Sequence, residues 1–193
     1  SLGEHDATKE TALFLDSCCN FETTWIGLEN TGEVKLDDWK VAVEKNDYSL
    51  ASFIYVSNET GAINDMTKIV DITRRANPRT LIHGDVVQAI GKIPFSFRKS
   101  GLDFASISGH KLGAPKSCGL LLVKDKKLIE PLIHGGRQQQ NRRSGTEDAP
   151  LVYALAEAIE LSHDKIAASY ERVAELRERF LNLLIQFEIP HQV

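Results

Sequence analysis

Phe104-Ala105-Ser106-Ile107-Ser108-Gly109-His110-Lys111 is the stretch on which the reading of this chain turns. Residues 104–107 have the apolar, β-prone character of a short buried strand. The chain then leaves that strand through a serine, a glycine, a histidine and a lysine. Working outward, the same pattern recurs. Ser52-Phe53-Ile54-Tyr55-Val56 reads as a strand and runs into Ser57-Asn58-Glu59-Thr60-Gly61, while Leu81-Ile82-His83 runs into Gly84-Asp85 and then Gln88. Three strands in succession thus deliver polar groups at their carboxyl ends, the side on which open α/β sheets bind ligands.

Between these strands the periodicity is helical. Residues 6–19 predict a helix with Asp6 as its N-cap, Leu36–Asn46 a second, and residues 66–77 a third that stops before Pro78. Residues 86–90 predict a short helical turn and 119–123 a further strand. Phe21–Leu28, rich in Thr, Trp and Ile, also reads as a strand. From Pro150 an Ala/Leu/Glu/Arg-rich pattern predicts a long helix to about Phe187, with a break at 162–164. Strand–helix alternation of this kind predicts an α/β fold built on a mainly parallel sheet.

The 193 residues are enough to bury a core without staples. A net charge of −4 gives no bulk attraction to nucleic acid or to an anionic membrane, so neither is expected as a partner. Apolar runs such as Leu120–Val123 are too short to span a bilayer. Three cysteines, Cys18 and Cys19 adjacent and Cys118 alone, offer no disulfide framework and no zinc spacing, and point to a reduced, cytoplasmic protein. Cys18 and Cys19 are expected to be small buried residues of the first helix. The charged residues of 164–179 are expected to form a solvated face. Gly84–Lys92 is no phosphate loop, because its glycines are too far apart and Ile93 stands where a hydroxyl is required.

A lysine amine and an aspartate at neighbouring strand ends suit one chemistry in particular. Pyridoxal phosphate needs an amine for its aldehyde and a carboxylate against its pyridine nitrogen, so that the ring stays protonated and withdraws electrons. Lys111 and Asp85 are placed to supply these, with Gln88 near Asp85, and with Ser108 and His110 flanking the lysine as hydrogen-bond donors.

Ser108-Gly109-His110-Lys111-Leu112-Gly113-Ala114-Pro115-Lys116 strongly resembles the lysine segment of class V aminotransferases, in the cysteine desulfurase branch of the fold-type I pyridoxal-phosphate enzymes. The resemblance extends to His83–Lys92 as the aspartate segment, Val56–Gly61 as the asparagine segment, and Glu4-His5 as the start of a helix whose histidine stacks on the cofactor. It extends also to His134-Gly135-Gly136 with Arg142–Glu147, a loop that carries a threonine to the partner subunit's phosphate. It departs at Ala114 and Ser117, where the family often has glycines, and at Val86 and Val87, which replace smaller residues.

The resemblance implies a set of roles. Lys111 would carry the cofactor and shuttle protons, Asp85 would pair with the pyridinium nitrogen, and Gln88 would meet the ring hydroxyl. His5 would stack on the ring and share acid–base work, and Asn58 would meet the substrate carboxylate or ring oxygen. Ser108 and His110 would bind the phosphate, and Thr146 would do so across a homodimer interface formed by the 134–147 loop. The implied activity is conversion of L-cysteine, or a related amino acid, to alanine, with sulfur passed to an enzyme cysteine and on to acceptor proteins for iron–sulfur or thio-cofactor assembly. The alternatives are another class V branch, or an inactive module that keeps only the fold.

The family's phosphate loop would precede Glu4-His5. Its small domain, with a substrate-binding arginine and a cysteine-bearing loop, would follow the long helix. The chain is therefore expected to be a fragment, with residues 1–165 a partial large cofactor domain and 166–193 a bridging helix into a small domain. Cys118, seven residues beyond Lys111, is not expected to replace the sulfur-accepting cysteine.

Overall fold

Four short strands form the centre of the molecule in the order β1-β2-β3-β4. A computed structural model describes residues 1–191. The strands are β1 (Leu50–Ile54), β2 (Leu81–Asp85), β3 (Phe104–Ser108) and β4 (Gly119–Val123). β1, β2 and β3 run parallel, and β4 returns antiparallel to β3. Helices α1 (Asp6–Cys18) and α2 (Leu36–Lys45) precede the sheet, α3 (Met66–Ala76) joins β1 to β2, and α4 (Phe97–Ser100) lies before β3. After β4 come α5 (Gln138–Asn141), α6 (Ala149–Asp164) and α7 (Ile166–Gln186). A mainly parallel sheet flanked by helices and ending in a long helical stretch is the α/β architecture expected of the sequence.

Alternation along each strand, read through the pairing register, divides the sheet into two unlike faces. Ala51 and Phe53 of β1, Ile82 of β2, and Ala105 and Ile107 of β3 share one face and are all buried. Trp39 and Val43 of α2 and Ile69 and Val70 of α3 join them in a single core. Trp39 meets Phe53 edge-on, with ring centroids 6.1 Å apart, and its indole N–H donates to Thr73 at 2.9 Å. The opposite face carries Ser52, His83, Asp85, Ser106 and Ser108. So much polarity on a sheet interior marks the face that serves chemistry.

At the amino ends of the strands, Arg74 of α3 ties the layers together. Its guanidinium donates to the carbonyls of Thr80 at 2.6 Å, Pro78 and Gly101, and it pairs with the buried Asp103. Asp103 also accepts from Ile82 N at 2.8 Å. The carboxyl ends are thereby left to the site.

Several expectations require correction. Phe21–Leu28 forms no strand; among the described residues an isolated bridge, Leu28 to Val34, is all the pairing that occurs there. Its β-prone composition favours a strand, but no neighbouring strand among the described residues supplies a ladder. The first helix is capped by His5 and not Asp6, with Nδ1 accepting from Ala7 N at 3.1 Å. β1 ends at Ile54, two residues before the expected boundary, because Val56 leaves the sheet to bridge Ile63. The break in the last helix falls at Lys165. Cys18 and Cys19 are exposed rather than buried, since no residue of α1 is buried. The charged residues of 164–179 are exposed, as expected.

Candidate functional site

Asp85 closes β2, and its side chain is both buried and locally tied. The residue is 7 % exposed. One carboxylate oxygen accepts from Val87 N at 2.9 Å, so the aspartate caps the turn that follows it. Val86 carbonyl receives Ala89 and Ile90 N–H in that turn, which places Gln88, half-buried, just beyond the carboxylate. Among the described residues no group donates to the second oxygen. Burial pushes the Asp85 carboxyl above the usual carboxylate range; the Val87 N–H, His83 and His5 pull it down, and Glu4 pushes it up. A buried acid with one open oxygen is suited to receive a cationic N–H donor.

Beside it, β3 ends at Ser108 and the chain turns at once through a 3-10 segment, Gly109–Leu112. Ser108 Oγ lies 2.9 Å from His110 Nδ1, so the two form a preassembled hydroxyl–imidazole pair next to Lys111. Lys111 is exposed and has no carboxylate partner among the described residues. The turn is possible because Gly109 carries no side chain: a Cβ there would come within 2.7 Å of Cys118 Sγ and 3.0 Å of Leu155. Gly113 ends the turn with φ +85°, a conformation that favours glycine. Ser117 also adopts a positive φ, 68°, so the backbone keeps a glycine-like conformation at a position where the resemblance expected glycine.

The register brings Asp85 opposite Ser106, two residues before Ser108, so the aspartate and the lysine turn rise from adjacent strands at one end of the sheet. His5, exposed at the start of α1, is close enough to stabilise the Asp85 anion. Asn58 is exposed in a turn in which Ser57 Oγ accepts from Glu59 N and Thr60 N. Its own amide has no partner there, which leaves it open to a ligand. Thr146 is exposed in the 134–147 segment.

Two participants were not singled out from the sequence. Lys92 is held below the usual lysine range by burial and by the nearby Lys111, so a second amine borders the first. Buried Asn64 ties the chain beyond β1 in place by accepting from Val34 N and donating to the Ile54 carbonyl, both at 2.7 Å. No motif marks either residue; only the segment holding Lys92 was recognisable.

The aminotransferase class-V family pattern matches residues 1–190. The chain belongs to this family. It is 34 % identical over 188 residues to the cysteine desulfurase IscS of Methanosarcina thermophila, covering 97 % of this chain and 46 % of the relative. A cysteine desulfurase of Gluconacetobacter diazotrophicus is 36 % identical, covering 96 % and 46 %. Among solved structures, a NifS-like protein superposes with a TM-score of 0.90 at 34 % identity, over 95 % of this chain and 50 % of that one. SspA in complex with cysteine matches with a TM-score of 0.75 at 30 % identity, over 81 % and 45 %. The chain spans about half the length of the curated relatives it matches. Its sheet is thus that of NifS-like fold-type I enzymes. No helix of the described residues is long and apolar enough to cross a membrane.

Proposed function

We propose that this chain is the part of a pyridoxal-phosphate-dependent cysteine desulfurase that carries the cofactor lysine and aspartate, the parent acting on L-cysteine as a homodimer in the cytoplasm. The observation that carries the reading is the pairing of a buried, half-satisfied Asp85 with an unpaired Lys111 on the next strand end. The donor set fits the group: an anion for a protonated ring nitrogen, a lysine amine for an aldehyde, and a hydroxyl–imidazole pair for a phosphate.

Bound pyridoxal phosphate supplies the electron sink that makes bonds at an amino acid's α-carbon labile. The residues of this chain do the rest. Asp85 holds its charge at the open oxygen and orients the ring, while Val87 N fixes the carboxylate plane. Lys111 Nζ holds the cofactor and moves the proton at the α-carbon. Gln88 binds the ring hydroxyl, His5 covers the ring, and Asn58 meets the substrate carboxylate. Ser108 and His110 bind phosphate, and Thr146 reaches that of the partner subunit through the 134–147 loop.

The exposure of Thr146 supports a role in trans. Residues 1–165 form part of the large domain and 166–193 the bridging helix with the start of a small domain, a division supported by the break at Lys165 and by the lack of any buried residue in α7 (Ile166–Gln186). Sulfur would leave on a cysteine of the parent for acceptor proteins of iron–sulfur or thio-cofactor assembly.

The test has two parts. Adding pyridoxal phosphate to the chain should give a visible absorption band that Lys111→Ala abolishes; a band that survives in that variant overturns the lysine assignment. For the full-length parent, L-cysteine should give alanine and a persulfide on the accepting enzyme cysteine, from which an added thiol reductant releases sulfide, and transamination without sulfide would move it to another class V branch.

A further inference from the structure

The loop that carries Asn58 is a closed hairpin rooted beside Asp85. Tyr55 N donates to the Asp85 carbonyl at 2.8 Å, so the chain is still tied to β2 as it leaves β1. Val56 then bridges Ile63, while Ser57 N donates to the Ala62 carbonyl and Asn64 N to the Tyr55 carbonyl, both at 2.9 Å. Asn58–Gly61 is left as the tip, and Asn64, 3 % exposed, sits at the base. Its Nδ2 donates to the Ile54 carbonyl and its Oδ1 accepts from Val34 N, both at 2.7 Å. Ile54 is the register partner of Asp85, so this amide fastens the hairpin level with the buried acid. Val34 closes a second turn by its bridge to Leu28, and that turn leans on the hairpin tip. A Cβ on Gly32 would come within 2.7 Å of Thr60 Oγ1 and 3.2 Å of Ala62 Cβ.

We infer that Asn64 is the positioning residue of Asn58: its amide, clamped between the Ile54 carbonyl and the Val34 N–H, fixes the angle at which the 55–64 hairpin holds Asn58 at the carboxyl end of the sheet. This rests on the reading of Asn58 as the group that meets the substrate carboxylate. The clamp asks for one donor and one acceptor a fixed distance apart, which a side-chain amide presents. Aspartate there would bring a buried charge and no donor for Ile54. Leucine would leave both backbone groups unpaired in the interior, where neither finds water in exchange. Glutamine, one methylene longer, would reach both only by moving the hairpin. Asn58 itself is exposed, and no hydrogen bond of its own side chain fixes it among the described residues. Its direction is therefore set at the base of the hairpin, by Asn64.

Two measurements test this. In the chain without cofactor, Asn64→Leu should speed hydrogen exchange of the Ser57 and Gly61 amides about tenfold or more while the amides of β1 keep their protection. A role confined to overall stability would speed both sets alike, and that result overturns the inference. In the full-length holoenzyme, a double-mutant cycle reads whether Asn64 acts through Asn58. Asn64→Leu should raise the KM for L-cysteine roughly tenfold with little change in kcat, and should raise it no further where Asn58 is already alanine. An unchanged KM, or two effects that simply multiply, overturns the inference. Should Asn64→Leu fail to fold, Asn64→Asp, which keeps the acceptor for Val34 N and loses the donor to Ile54, is read in the same two ways. Asn58→Ala alone separates the failures. No change in its KM removes the reading of Asn58 and the inference with it, whereas a change there with none in Asn64→Leu removes the inference only.

Discussion

Asp85 shows what burying an acid costs the fold that holds it. Burial raises its folded-state pKa above the unfolded value near 3.8. Its stabilising contribution is complete below that unfolded value and is lost as pH rises through the folded pKa. At neutral pH the ionised carboxylate therefore works against folding. Asp85→Asn keeps an oxygen for Val87 N and removes the charge, so at pH 7 the cofactor-free variant should melt at a higher temperature than the parent chain. The difference should shrink toward zero below about pH 4. Melting curves of the pair across that range check it, and a lower melting temperature for the variant at pH 7 would refute the account. The placement of Asp85, Lys111, Ser108 and His110 was legible because each lies at or just past a strand's carboxyl end, and strand ends converge. His83 lies 2.8 Å from both Ser52 Oγ and Ser106 Oγ, and this link was not legible, because pairing across three strands is invisible in a linear chain. Cys18 and Cys19 were misread for a similar reason: their small apolar character says nothing about whether α1 has a layer above it.

At the scale of elements, α3 shows how sequence signals and tertiary ties combine. Asp65 caps it by accepting from Lys68 N at 3.0 Å, and Lys68 Nζ lies 3.0 Å from the same carboxylate. Those hydrogen bonds hold the Asp65 carboxyl below the usual range. The stabilisation is present above the unfolded pKa and is lost as pH falls through the folded one. Asp65→Ala should lower stability at pH 7 by about 1 kcal/mol, measured by urea unfolding, and the deficit should narrow in acid. An equal deficit at all pH values would locate the effect elsewhere. Helices with one buried face, such as α2 and α3, were legible to within a residue or two. The strand predicted at 21–28 was not: its composition favours extended backbone, but a strand exists only by pairing, and pairing is a property of neighbours.

For the molecule as a whole, the sheet divides labour between its poles. Arg74 and Asp103 knit the amino ends, and the carboxyl ends carry Asp85 and the Lys111 turn. The alternation of elements made the class of fold legible. The antiparallel return of β4 was not, since a run such as Gly119–Val123 reads the same in either direction. That return has a consequence for the order in which the molecule assembles itself. Ser108 pairs with Gly119, so the lysine turn lies inside a tight β3–β4 hairpin, whereas Leu50 must find Leu81 across the whole of α3. Closing the longer span costs about 1 kcal/mol more in chain entropy, before α3 has docked to repay it. Amides of β3–β4 should thus gain protection before those of β1–β2 in pulse-labelled hydrogen exchange during refolding, and the reverse order would sink the idea. A newly made chain would then shape its lysine loop first and await the carboxylate, so the reactive amine stands ready before the site that governs it exists.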